Sequence, residues 1–220
     1  MTSPPLVLAS ASPRRKHLLE QAGLVFEVLP ADVEERYNGE PPEEFARRCS
    51  ARKAAEVFPL RPAAAVVAAD TIVVLRDRAS GKDRVLGKPA GPAEARSMLA
   101  GLSGREHRVI TGVTVRRGKE ERTGVRETRV RFRTLDPETI GRYVATGEPL
   151  DKAGAYGIQD RGVHLVESLE GCYTNVVGLP LGLLRELLLG VGLDALPPSP
   201  CGAFAKSKEV EECLNRTRRS

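Results

Sequence analysis

Six consecutive residues, Ser10-Ala11-Ser12-Pro13-Arg14-Arg15, bring hydroxyls, a helix-starting proline and two guanidiniums into one turn. They follow the apolar run Leu6-Val7-Leu8-Ala9 and precede a helical pattern. Such a turn leaves backbone N–H groups free, and the helix behind it aims its positive end the same way. Pro13 suits the first helical turn, where its missing N–H costs nothing. Forked arginine donors match phosphate oxygens in geometry as well as charge. The predicted chemistry is anion recognition, with Ser10, Arg14 and Arg15 as the contacting groups. The plain alternative is a well-capped helix carrying solvated arginines.

Asp70 interrupts a segment otherwise rich in alanine, valine and isoleucine, residues 63–75. An ionised carboxylate buried there demands a cation or donors, and a divalent metal would answer that demand. Asp70-Thr71 as a simple turn between two strands is the competing reading. Lys53 shares helical spacing with Ala46, Cys49 and Val57, so its ammonium leaves the apolar face of a helix over 43–57 and either meets an anion or snorkels to the edge. Glu34-Glu35 follow a strand over 26–29 and offer a second metal carboxylate or two surface acids. Lys88 stands in Gly87-Lys88-Pro89, a turn in which glycine permits close approach and proline restricts the lysine backbone.

The elements that must position these residues alternate. Strands are expected at 6–9, 26–29, 65–69 continuing through 72–75, 109–115, 128–132 and 163–166, with helices at 14–22, 43–57, 93–102, 137–145 and 181–189. This is an α/β pattern with a mixed sheet. After Gly192 a proline-containing segment leads to a polar end, so residues 1–192 read as one domain and 193–220 as a tail, disordered or with a short helix over 207–214.

Composition narrows the partners. A chain of 220 residues can bury roughly 70% of its unfolded surface. The formal charge is +5, with 34 basic residues interleaved among 29 acidic ones, and aromatics are only 4% without tryptophan. A nucleic-acid surface would pair a basic face with stacking rings, so a small polyanion fits better. No apolar run approaches the ~20 residues of a membrane helix, and the start lacks a signal-peptide pattern. Cys49, Cys172, Cys201 and Cys213 form no C-x-x-C pair, which suits a reduced, cytoplasmic protein. There is no G-x-x-x-x-G-K-[ST] loop and no G-x-G-x-x-G fingerprint. His17, His107 and His164 lie in separate elements and are expected at the surface or half-buried.

Taken together, the chain resembles the Maf family of nucleoside triphosphate pyrophosphatases. The resemblance rests on Ser10–Arg15, Ala69-Asp70-Thr71, Gly87-Lys88-Pro89, Leu102 to Val113, Gly147 through Gln159, and Asn175 to Pro180, in the family's order over about residues 5–190. The segment Asp151-Lys152-Ala153-Gly154-Ala155-Tyr156-Gly157-Ile158-Gln159 is similar to the dTTP/UTP branch. A similar domain begins acetylserotonin O-methyltransferase-like proteins. After the glutamine the chain reads Asp160-Arg161-Gly162-Val163, where family members often carry glycines.

The resemblance implies an inosine triphosphate pyrophosphatase-like fold, an elongated twisted sheet flanked by helices, and a homodimer. It also implies cleavage between the α and β phosphates of a nucleoside triphosphate, giving a monophosphate and pyrophosphate. Asp70 and Glu35 would hold Mg²⁺ or Mn²⁺, and Asp70 would accept a proton. Lys53 and Lys88 would act with it, and Ser10, Arg14, Arg15, Thr71 and Gln159 would bind substrate. The Gln159 amide suits the N3–H and a carbonyl of uracil or thymine. A catalytically weak nucleotide-binding regulator is the alternative from a different class.

Overall fold

A computed structural model of the chain describes residues 5–198. Cys201, Cys213 and the expected helix over 207–214 lie outside the described residues. The fold is α/β, built on a seven-stranded mixed sheet. In chain order its elements are β1 (Leu6–Leu8), α1 (Pro13–Gln21), β2 (Phe26–Val28), α2 (Pro42–Val57), β3 (Ala65–Arg76), β4 (Asp83–Leu86), α3 (Pro92–Leu102), β5 (Glu106–Arg117), β6 (Glu120–Phe132), α4 (Pro137–Ala145), β7 (Val166–Glu170), α5 (Tyr173–Val177) and α6 (Leu181–Gly190). Proline opens α1, α2, α3 and α4, where its fixed φ is preorganised and its absent N–H has no partner to lose. No helix among the described residues is long and apolar enough to cross a membrane.

The strand order is β2-β1-β3-β5-β6-β7, with β1 parallel to β2 and β3, and the remaining pairs antiparallel. β4 pairs with β3 outside that path. β5 covers one edge of β3 from Ala65 to Val74. On the other edge β1 covers only Ala65 to Val67 and β4 only Val73 to Arg76. Residues 68–72 therefore face a notch in the sheet, and Asp70 and Thr71 lie inside it.

Period-two alternation sends the two neighbours to opposite faces. Val66, Ala68, Ile72 and Val74 pack beneath α2, whereas Ala65, Val67, Ala69, Val73 and Leu75 join the larger core under the other helices. Asp70 thus falls on the α2 face and Thr71 on the α1 face. α2 sits unusually close to the sheet because Gly112, directly opposite Asp70 in the ladder, has no side chain. A Cβ there would lie 2.2 Å from the Ala46 carbonyl oxygen.

Four expectations are corrected. Asp70-Thr71 is not a turn, since β3 runs unbroken from Ala65 to Arg76. β6 begins at Glu120 rather than 128, because its charged first half forms a long hairpin with β5. Residues 163–166 are not a strand: helical turns run over Asp160–Leu165, and pairing starts at Val166. There the chain first caps the end of β6, with Arg133 N–H donating to Leu165 O at 2.9 Å. His107 is fully buried, held in a core of Phe132 and Tyr156 rings.

Candidate active site

The notch opens into a cavity of about 660 Å³. Its walls come from the Ser10–Pro13 turn after β1, the Glu35–Tyr37 segment, α2, the notch of β3, the Gly87-Lys88 turn after β4, and the loop 151–159. The two turns flank the notch because each follows a strand that stops at its border. All nine residues expected to act on a nucleotide or metal line this one cavity: Ser10, Arg14, Arg15, Glu35, Lys53, Asp70, Thr71, Lys88 and Gln159. Glu34 is exposed and is not among the lining residues.

On the α2 face, Lys53 Nζ donates to Asp70 Oδ1 at 2.7 Å, with both side chains about nine-tenths buried. Glu35 closes on the same ammonium from the more exposed side. Lys53 does not snorkel, because two carboxylates meet it inside. The trio carries a net negative charge, and two carboxylates converging on one cation are the hard oxygen donors that suit Mg²⁺ or Mn²⁺. Among the described residues no group of three or more His, Cys, Asp or Glu is assembled for a metal. The donor set fits an ion that takes one or two protein carboxylates and completes its shell with phosphate and water oxygens. Cys49 lies beneath this trio; burial, reinforced by the Asp70 and Glu35 charges, pushes its thiol up to about 12, so it stays protonated and is no nucleophile.

On the opposite face the two arginines part. Arg14 stays at the cavity mouth and pairs with Asp151 at 3.1 Å. Arg15 turns inward, where its Nε donates to Gly178 O at 2.8 Å, one terminal nitrogen to Ser10 Oγ at 2.9 Å and the other to Thr71 Oγ1 at 3.1 Å. Burial pulls its guanidinium below the ordinary value, and the charges of Asp70 and Glu35 oppose that shift. The chain of donors continues from Thr71 to Thr111 at 3.0 Å and from Thr111 Oγ1 to Asn175 O at 3.1 Å. Arg15 thereby fixes two hydroxyls of the cavity wall to the 175–178 turn. Lys88 is exposed and makes no ion pair among the described residues.

Residues 5–191 match the family described as Maf-like protein. The chain belongs to the Maf family. Among curated relatives, this Maf chain is 52% identical over 193 residues to a protein of Moorella thermoacetica, covering 86% of itself and 96% of the relative. It is 50% identical over 188 residues to one of Symbiobacterium thermophilum, covering 85% and 94%. A third relative, from Pelotomaculum thermopropionicum, is 47% identical over 194 residues, covering 87% and 98%. All three relatives are named dTTP/UTP pyrophosphatase.

Sequence reasoning gave no role to Asp151, Lys152 or Tyr156 of this Maf chain, all of which line the cavity. A signal existed: two opposite charges open a stretch of alanine and glycine that no helical period explains. Gly154 N–H donates to Gly87 O at 3.0 Å, which ties this loop to the Lys88 turn.

Proposed function

We propose that this Maf chain hydrolyses nucleoside triphosphates, dTTP and UTP foremost, to nucleoside monophosphate and pyrophosphate. The observation that carries the reading is the meeting of Asp70, Glu35 and Lys53 on one side of the notch with Ser10 and Arg14 on the other, in a cavity of about 660 Å³. Pockets that take small ligands run to roughly 300–1,000 Å³, so a nucleotide fits. The relatives named dTTP/UTP pyrophosphatase support the substrate class.

In this reading Ser10, Arg14 and Lys88 bind the polyphosphate, and Arg15 holds Ser10 and Thr71 in place. Asp70 and Glu35 hold Mg²⁺ or Mn²⁺, which when bound supplies positive charge against the phosphate oxygens. Water adds at phosphorus as the P–O bond between the α and β phosphates breaks, and Asp70 accepts the water's proton. Lys53 keeps the Asp70 carboxylate aimed and charged until then. No covalent nucleophile is required, so catalysis rests on position and electrostatics. Gln159 reads the pyrimidine edge with its amide donor and acceptor.

The test is a panel of canonical and modified triphosphates with Mg²⁺ or Mn²⁺, scoring pyrophosphate separately from orthophosphate. Turnover of dTTP and UTP with pyrophosphate as product is expected. Release of orthophosphate alone overturns the bond assignment. Tight nucleotide binding without any turnover would make the protein a regulator instead.

A further inference from the structure

One carboxylate at the cavity mouth is shared by two cations. Asp151 Oδ2 receives Arg14 at 3.1 Å and Asp151 Oδ1 receives Lys152 Nζ at 2.7 Å. Arg14 belongs to the turn after β1, whereas Lys152 belongs to the loop that follows α4. The contact therefore joins two separate walls of the cavity. Lys152 is well held: its side chain is only 14% exposed, Nζ also donates to Glu148 O at 2.5 Å, and its stem packs on Gly157. A Cβ at Gly157 would meet Lys152 Cε at 2.9 Å, so that glycine makes room for the lysine. Asp151, by contrast, is 61% exposed, with open solvent beside it.

A held lysine and an arginine at the cavity mouth, converging on one exposed carboxylate, make an anion site that the protein fills for itself. We propose that Arg14 and Lys152 form a two-cation subsite for the pyrophosphate end of the substrate, and that Asp151 is its built-in competitor, displaced when the polyphosphate arrives. A pyrophosphate unit offers two sets of oxygens and more negative charge than a carboxylate, so it can take both cations at once. The displaced Asp151 moves to water at small cost because it is already largely solvated. After cleavage the carboxylate returns and helps expel pyrophosphate. The proposal rests on the functional reading only for the identity of the anion.

The experiment titrates the full-length protein calorimetrically with inorganic pyrophosphate at fixed Mg²⁺, without nucleotide. Asp151→Asn keeps the volume and removes the competing charge, so pyrophosphate affinity rises about fivefold at low salt and less at high salt. Lys152→Gln keeps most of the stem and removes the ammonium, so affinity falls about tenfold. Thermal melts matching the parent establish that both variants are folded. The combined variant tests the pairing: with Lys152→Gln already present, Asp151→Asn should gain less than it does alone. An unchanged or weakened affinity in Asp151→Asn, or an unchanged affinity in Lys152→Gln, overturns the subsite. Absence of dTTP and UTP turnover in the parent, with these binding shifts intact, would instead overturn the proposed reaction and leave the subsite standing.

Discussion

Replacing Asp70 with asparagine separates the chemistry of the notch from its stability. Its side chain is 6% exposed and its charged hydrogen bond to Lys53 is 2.7 Å long. Removing one partner of a buried pair costs ~3–5 kcal/mol when the other charge is stranded. Here Lys53 keeps Glu35, so the ammonium remains paired and the loss should stay at about 1–3 kcal/mol. For a chain of this length each kcal/mol lowers Tm by about 2–4 °C, and against a total of ~5–15 kcal/mol nearly all molecules remain folded at 25 °C. Turnover should nevertheless fall by about 10²–10⁴-fold, because the amide accepts no proton and brings no charge to a divalent ion. The assay pairs thermal melts with pyrophosphate release from dTTP and UTP by the purified variant. Turnover within about fivefold of the parent would refute Asp70 as the proton acceptor, and so would a loss fully accounted for by the unfolded fraction.

Arg15→Lys keeps the charge but not the three-way fork, so it should lose about 2–4 kcal/mol of stability and raise KM through displaced Ser10 and Thr71; a variant with parental Tm and KM would remove Arg15 from its bracing role. Gln159→Glu should lower kcat/KM for dTTP and UTP about tenfold to a hundredfold more than for GTP or ATP, since an acceptor replaces the donor facing a pyrimidine carbonyl. An equal loss on all four nucleotides would mean that Gln159 does not read the base. Burial holds the His107 imidazole down to about 3, against an ordinary value near 6.5. Its contribution is therefore complete above pH 6.5 and is lost as pH falls towards 3, up to about 5 kcal/mol. Denaturant melts of the parent should weaken across that window more steeply than those of His107→Gln; parallel curves would exclude His107 as the source.

The site was legible where chemistry is carried by neighbours in the chain. Ser10 to Arg15 is a contiguous turn, and Lys53 can be placed on an apolar helix face by spacing alone. What the order of residues does not carry is direction. Arg14 and Arg15 are identical in type and adjacent, yet one pairs with Asp151 at the cavity mouth and the other is enclosed by Ser10, Thr71 and Gly178, partners up to 163 positions away. Asp70 reads equally as a turn or a buried acid until Gly112 brings α2 close enough for Lys53 to reach it. The same limit explains the missed β4: Asp83-Arg84-Val85-Leu86 is too short and charged to announce a strand, and it becomes one only against Val73 to Arg76. His107 was misplaced for a related reason, since a polar side chain signals surface unless its cover, here Tyr156 and Phe132, is known.

An uncovered strand edge is usually a hazard, because its unpaired amides and carbonyls can recruit another chain and seed aggregation. The bare edge of β3 escapes that fate by being walled at both ends. At about 3.3 Å per residue, positions 68–72 offer roughly 17 Å between β1 and β4. Ala9 N–H already takes the Val67 carbonyl at the β1 border, at 2.8 Å. An incoming strand would have to displace a resident one to gain a useful length of ladder. A small flexible guest needs only the gap. The sheet thus filters its visitors by length, denying a second polypeptide the run of ladder it would need to add as a strand.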